Sequence, residues 1–484
     1  MAKEILNLQP QSVWKYFYEL TQIPRPTFHT GAVSQYLFEE GKRLGLETHR
    51  DEVGNVVLRK EAKPGMENKP MITMQAHMDM VPQKNSDTQH DFLTDPIDAY
   101  IDGEWVTARG TTLGADNGMG VAMALAVMAD NTLENGPLEA LFTIDEEVGM
   151  GGANALKPGF LKGDLLLNLD SEEEGDLFIG CAGGVDVNVT LHYHEEENTH
   201  PSDKGLKVQL SGLKGGHSGV EINLGRGNAN KLMARYLKVA LNRYGARLAM
   251  MEGGNMRNAI PREAQAFLSV AADKVEELKK FTDEYQALYR KEFEGIEGSI
   301  SLVAVEVPAP AKLIPEKIAN SLVGALEGCL NGPQSMLQSF PGVVEASTNL
   351  SIAVFKEGEA SVQFLVRSSS DSRKMWVASS LESAFLNIGA QVQFDASYSG
   401  WQPNPKSKAM DLLIHSYEKI YGKKPAALVM HAGLECGIIQ GVMPKMDMVS
   451  FGPEIRHPHS PDEKVHIQSV ERTYKVLVHA IENL

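Results

Sequence analysis

An apolar run that stops abruptly in three carboxylates is the feature that most constrains this chain. Leu138 to Gly149 reads Leu-Glu-Ala-Leu-Phe-Thr-Ile-Asp-Glu-Glu-Val-Gly. The segment Leu141-Phe142-Thr143-Ile144 has the composition of a buried parallel strand. Asp145, Glu146 and Glu147 follow at once. In open α/β sheets, ligands and chemistry collect at the carboxyl ends of the strands. So much negative charge at such an edge is costly unless a positive partner sits there. A metal ion is the economical partner; an exposed acidic turn is the rival reading.

Length and charge bound the rest. The chain has 484 residues, enough for two or three domains and a large core. Its net charge is -17, which argues against nucleic acid or an anionic membrane as partner. The N-terminal segment has no apolar core like that of a signal peptide, and no stretch has the length needed to span a bilayer. Three scattered cysteines, Cys181, Cys329 and Cys436, form no CxxC and fit a reducing cytoplasm.

Taken in order, the first third alternates helices and strands. Helices are expected from Pro10 to about Ile23 and from Thr30 to Leu44, and strands at Asn55–Arg59 and Met71–Ala76, the second ending in His77-Met78-Asp79. A polar segment follows. Thr111 to Gly120 is glycine-rich and contains Asp116, and a helix is expected from Gly120 to Ala129. Neither GxxxxGK[ST] nor GxGxxG occurs there, which rules out a phosphate loop. Leu165–Leu169 is a further apolar strand, ending in Asp170. After about Gly184 the pattern changes to alternating strands and amphipathic helices, with a possible repeat of helix, strand, strand, helix, strand from Pro315 to Ala396. From about Trp401 it returns to α/β. The expectation is an α/β catalytic domain with a mainly parallel mixed sheet, residues 1–186 and 400–484, split by an inserted α+β lid domain, residues 187–399.

The polar strand endings converge in kind. Imidazole and carboxylate ligands suit zinc or a similar divalent ion. Five candidates, His77, Asp116, Glu147, Asp170 and His459, are too many for one metal and suit two ions bridged by a carboxylate. Asp79 lies on the same strand face as His77 and could fix its tautomer. Glu146 and Glu147 are adjacent, so one can bind metal while the other acts as general base.

His77-Met78-Asp79, Gly114-Ala115-Asp116-Asn117-Gly118, Asp145-Glu146-Glu147-Val148-Gly149, Asn168-Leu169-Asp170, Gly215-Gly216-His217-Ser218-Gly219 and His459-Ser460-Pro461-Asp462-Glu463 together resemble the aminoacylase/carboxypeptidase/carnosinase family of co-catalytic zinc metallopeptidases. The likeness spans nearly the whole chain. Gln75 to Val81, His431 to Gly437 and Arg456 to Glu463 resemble its cytosolic aminoacyl-histidine dipeptidase branch. The resemblance implies two divalent ions per subunit, zinc with cobalt or manganese as substitutes. His77 and Asp170 would hold one ion, Glu147 and His459 the other, and Asp116 would bridge. Asp79 would orient His77, and the Asp116–Asn117 peptide bond would be cis. The implied reaction is hydrolysis of Xaa-His dipeptides, β-alanyl-histidine included, by a metal-bridging hydroxide with Glu146 as general base. His217 would reach the substrate's carbonyl oxygen, often from the partner subunit of a homodimer, or from the same chain where the enlarged insert leaves the enzyme monomeric. Asn258 and Arg367 would hold its carboxylate, which suits the bidentate fork of arginine. Gly433 and Glu435 would also contact substrate.

Blander readings stand beside these. His457 competes with His459; the family pattern places the ligand before a small residue, which selects His459. His431 and Glu435 line the site or merely pack. Arg367 could be a surface ion-pair residue. Glu172-Glu173-Glu174 reads as a solvated turn. Rival functions are an N-acyl amino acid hydrolase, a broader aminopeptidase and, in a different class, a catalytically silent scaffold.

Overall fold

A computed structural model describes residues 2–484. The chain divides into two compact units. The first comprises Met1–Cys181, Trp401–Val429 and Leu434–Leu484; the second comprises Ala182–Gly400 and Met430–Gly433.

The first unit is built on an eight-stranded sheet. Its order is Glu47–Arg50, Val56–Lys60, Leu138–Thr143, Ile72–His77, Leu165–Asn168, Asp447–Ser450, Asp176–Cys181, Ala426–Met430. Ile72–His77 pairs in parallel with both Leu138–Thr143 and Leu165–Asn168, and Asp447–Ser450 is parallel to Leu165–Asn168. Glu47–Arg50 with Val56–Lys60, Val56–Lys60 with Leu138–Thr143, and Asp447–Ser450 with Asp176–Cys181 are antiparallel pairs. The four central strands therefore point their carboxyl ends the same way.

These strands are buried on both faces, which explains their unbroken apolar runs. One charge is buried among them. Glu139 is wholly enclosed and accepts hydrogen bonds from Arg59 Nε at 2.8 Å, Thr73 Oγ1 at 2.9 Å and Lys162 N at 3.1 Å. That pairing lets an acidic residue occupy the middle of an apolar strand.

The Ala115–Ala129 helix lies between Ile72–His77 and Leu138–Thr143 in sequence and is buried almost throughout. It begins at Ala115 rather than at Gly120. Asp116 and Asn117 keep non-helical dihedral angles, and the bond between them is cis. A Cβ at Gly120 would lie 2.5 Å from the carbonyl oxygen of Leu169, so only glycine lets the helix approach that strand end so closely.

A four-stranded sheet within the same unit was not foreseen. Of the hairpin Ala99–Asp102 and Trp105–Ala108, the first strand ends the stretch read as polar and the second lies just beyond it, where no element was expected. The hairpin pairs with Lys464–His466, which in turn pairs with Ile455–Arg456. The strands are short and half polar, so their alternation is faint in sequence. Their effect is to fix both ends of the His459 loop.

The second unit carries a nine-stranded sheet whose pairings are antiparallel. Four helices accompany it: Ala229–Tyr244, Val275–Glu292, Glu316–Gly328 and Asp371–Leu386. The order helix, strand, strand, helix, strand does recur after Pro315, with one additional short strand, Gly332–Met336. Gly183–His192 pairs along its whole length with Glu359–Ser368. The chain therefore changes unit before this strand, at Cys181/Ala182, rather than within it at residue 186. Among the described residues no helix is long and apolar enough to cross a membrane.

Candidate metal centre

In the first unit, five chain segments meet at the carboxyl ends of the central strands. His77 ends Ile72–His77. Glu146 and Glu147 follow Leu138–Thr143, and Asp170 follows Leu165–Asn168. Asp116 opens its helix, and His459 sits in the loop between Ile455–Arg456 and Lys464–His466. Asp116 lies between the two imidazoles: Oδ1 is 3.1 Å from His77 Nε2 and Oδ2 is 3.1 Å from His459 Nε2. His77 Nε2 is also 3.3 Å from Asp170 Oδ1, and His459 Nε2 is 2.9 Å from Glu147 Oε2. Two sets of three donors result, His77/Asp116/Asp170 and Asp116/Glu147/His459, each within 4.8 Å of one another, and they share Asp116. A third set, His77/Glu146/Glu147, places Glu146 at the same spot. His457 is exposed and belongs to none of these sets.

Behind these donors stand their supports. Asp79 is fully buried, with Oδ1 3.3 Å from His77 Nδ1. Its two oxygens also accept the backbone N–H groups of Glu146 at 3.0 Å and Glu147 at 3.3 Å. Asp145 has a left-handed backbone, φ 50°, and accepts the Phe28 N–H at 2.7 Å. It ties the strand exit to the turn at Phe28, a bracing role.

The electrostatics call for cations. Burial raises the Glu146 carboxyl well above its ordinary range, with Asp170, Glu435 and Glu147 adding to the effect against the pull of His77. Burial also raises Glu147 and Asp170. Hydrogen bonds to Asp116 and Glu147 carry the His459 imidazole up to about 11. Each of these shifts records too many acids in one enclosed space. Asp170 Oδ1 and Glu147 Oε1 are buried with no hydrogen-bond partner. Unpartnered buried oxygens beside two imidazoles are the donor set of a divalent-cation site. The residues fit a pair of such ions.

The second unit brings together His217, Arg367 and His431. His217 Nδ1 accepts the N–H groups of Gly219 at 3.1 Å and Val220 at 3.2 Å, so the ring proton belongs on Nε2. Burial, then Arg367, lowers His217 to about 4, so the ring is neutral. Burial lowers His431 to about 3, and its Nε2 is 2.7 Å from Ser347 Oγ. A Cβ at Gly219 would lie 2.2 Å from the His431 carbonyl oxygen, which accounts for the glycine. Arg367 is buried; Nη1 donates to Tyr398 Oη at 3.2 Å, while Nε has no partner. Arg367 is therefore no surface ion-pair residue. Asn258 is exposed and its carbonyl oxygen accepts the Ser218 N–H at 2.8 Å, which puts it beside His217. Gly433 is half-buried in this unit.

The pattern of Peptidase family M20/M25/M40 matches residues 73–483. The chain belongs to this family. As a member of that peptidase family it is a peptide hydrolase. Among its relatives is the Cytosol non-specific dipeptidase of Escherichia coli (strain K12), 44% identical over 481 residues, 99% of each chain. The crystal structure of Aminoacylhistidine Dipeptidase from Vibrio alginolyticus is 44% identical and superposes with a TM-score of 0.94, covering 100% of this chain and 99% of that one. An aminopeptidase structure from Bacillus cereus, 17% identical over 98% of each chain with a TM-score of 0.57, shares the fold.

The peptidase also holds residues that sequence reasoning passed over or placed differently. Glu435 is completely buried in the first unit; Oε2 accepts Gln75 Nε2 at 2.6 Å and Thr143 Oγ1 at 2.7 Å. Burial lifts it to about 8. Within its unit it braces two strand ends rather than facing open space. The Glu172–Glu174 run is not a solvated turn: only Glu173 is exposed. Glu174 is gripped by Arg472 Nε at 2.7 Å and Tyr421 Oη at 2.7 Å, and burial raises Glu172 to about 8. Arg25 and Glu463, both buried, touch the segments that carry His77 and Asp116. A lone Arg between two prolines and the last Glu of His-Ser-Pro-Asp-Glu gave no periodic signal to find them.

Proposed function

We propose that the protein is a metal-dependent dipeptidase that cleaves Xaa-His dipeptides, β-alanyl-histidine among them. The observation that carries this reading is the Asp116 carboxylate, held 3.1 Å from each of two imidazoles with Glu146 in the same cluster. His77 and Asp170 would hold one ion, Glu147 and His459 the other, and Asp116 would be shared. Two bound divalent ions, zinc in this reading with cobalt or manganese as substitutes, supply Lewis acidity and ease the deprotonation of water.

The residues of the chain divide the remaining tasks. Glu146 takes the proton of the attacking water and delivers it to the leaving amine. Asp79 holds His77 in orientation and aims the Glu146 backbone. His217 offers its Nε2–H to the oxygen that becomes negative. Arg367, whose Nε is buried and unpartnered, takes the substrate's carboxylate together with Asn258. Gly433 borders the substrate as well. The names of the Escherichia coli and Vibrio alginolyticus relatives support the dipeptide and histidine parts of this reading. The former also supports a cytoplasmic location, with three buried free cysteines consistent with it. In this reading the working form is a homodimer, with His217 serving the partner's substrate; the alternative is a monomer whose enlarged insert supplies His217 to its own substrate.

The test is a substrate panel on chelated protein with zinc, cobalt or manganese added back. Restored cleavage of Xaa-His dipeptides is expected. Turnover confined to N-acyl amino acids or tripeptides would replace the reading with the related hydrolase or aminopeptidase. No bound metal and no turnover would make the chain a scaffold. Mixing a His217→Ala variant with a Glu146→Gln variant tests the dimer: regained activity is expected if His217 acts across subunits.

A further inference from the structure

We propose that Glu463, opposed by Arg25, is the positioning residue that sets the shared ligand Asp116. This rests on the metal-site reading above and assigns it a clamp.

The loop Leu113 to Asp116 presents four successive backbone N–H groups to one carboxylate. Glu463 Oε2 accepts Leu113 N at 2.7 Å and Gly114 N at 2.9 Å; Oε1 accepts Ala115 N at 2.7 Å and Asp116 N at 3.2 Å. Consecutive amides can converge in this way because Gly114 is left-handed, φ 72° and ψ 30°. Such a concavity is an anion receptor, and here the anion is built in. Glu463 is 2% exposed, so its carboxylate exchanges little with water.

Arg25 grips the same loop from its carbonyl side. Nη2 donates to Gly114 O, while Nη1 donates to Met78 O and Asp79 O, both at 3.0 Å. Arg25 is 2% exposed, and a Cβ at Gly114 would lie 2.6 Å from its Nη2. One guanidinium thereby fixes the spacing between the segment of His77 and the segment of Asp116. Glu463 adds the third segment, since it lies four residues after His459 and its own carbonyl accepts Thr107 Oγ1 at 2.7 Å.

The charge of Glu463 is the informative detail. Neutral acceptors could satisfy four amides without placing another anion near Asp116. A buried guanidinium beside a cation site, however, repels the cations. A carboxylate on the opposite side of the same loop offsets it. The pair therefore fixes Asp116 geometrically and leaves the local field favourable to divalent ions.

The test uses the chelated full-length protein and zinc or cobalt as probe. Glu463→Gln keeps the size but turns an N–H₂ toward two of the four amides. Calorimetric titration should show the affinity for the ions weakened about 10–100-fold. The cobalt spectrum should change, and kcat should fall with KM nearly unchanged. Amide exchange at 113–116 should speed up in the metal-free state. Affinity and spectrum equal to wild type would overturn the proposal, whatever happens to thermal stability. Should Glu463→Gln not fold, Arg25→Lys carries the same comparison: it keeps the charge and loses the fork, and unaltered ion affinity there would equally overturn it. Wild-type protein that binds no ion would instead refute the metal-site reading itself.

Discussion

The Asp79 carboxylate accepts the backbone N–H of Glu146 at 3.0 Å while its same oxygen lies 3.3 Å from His77 Nδ1. One buried acid thus couples the orientation of a ligand to the placement of the base. Asp79→Asn would turn an amide N–H₂ toward Thr27, His77 or the Glu147 N–H, each of which now faces an oxygen. The expected result is a 10–100-fold loss in metal affinity together with reduced kcat, read by titration calorimetry and steady-state kinetics.

Glu146 sits in the cluster without being needed for either three-donor set that shares Asp116. Glu146→Gln should keep the full metal content, measured by elemental mass spectrometry. Dipeptide hydrolysis should fall by about 10²–10⁴, the range of a lost general acid–base. Near-normal turnover would remove Glu146 from the proton-transfer role.

Chelation should destabilise the protein, because the ions offset a crowd of buried carboxylates. Adding zinc at about 100 times its dissociation constant should restore about 2.7 kcal/mol of stability. Differential scanning calorimetry with and without chelator reads this directly. A melting temperature indifferent to zinc would contradict the site.

His217 and His431 are both held neutral in the folded state, at about 4 and about 3. An unfolded histidine titrates near 6.5. Below that value the unfolded chain binds protons that the native chain refuses, so stability falls as pH drops from about 6.5 toward 4 and is intact above it. The melting temperature should decline over that window. The decline should be shallower in His431→Gln, as followed by circular dichroism.

Glu139 accepts the Arg59 Nε–H at 2.8 Å in the sheet interior. Glu139→Ala would leave the Arg59 guanidinium with Glu47 Oε1 at 2.7 Å and the Phe160 carbonyl at 2.6 Å, but would strip Arg59 Nε, Thr73 Oγ1 and the Lys162 N–H of a buried acceptor. A loss of about 1–3 kcal/mol is expected in urea unfolding, the cost of buried donors left unsatisfied.

Much of the architecture was legible in the residues. Apolar runs such as Leu165 to Leu169 are buried on both faces, and burial leaves no freedom in composition. The acids and the imidazole stood out because they sit where the unbroken apolar runs break off. Less legible were residues whose partners are backbone groups. Glu463 spends its whole carboxylate on four amides, and Arg25 spends its fork on three carbonyls. Backbone atoms carry no letter in a sequence, so such contacts leave no pattern. The Ala99–Ala108 hairpin was hidden for a related reason: its pairing with Lys464–His466 joins segments far apart in the chain. Glu172 and Glu174 misled by clustering, because a run of like charges resembles solvent-facing surface until Arg472 and Tyr421 arrive from the last quarter of the chain.

The carboxylate that secures Asp116 arrives 347 residues after it. At 5–20 residues per second, a ribosome needs roughly 17–70 s to cover that interval. For most of that time the nascent chain holds His77, Asp116, Glu147 and Asp170 but lacks both His459 and the anion that gathers the loop. Messenger truncation or a stalled ribosome short of Glu463 would therefore release a chain with most of its acids and no finished centre.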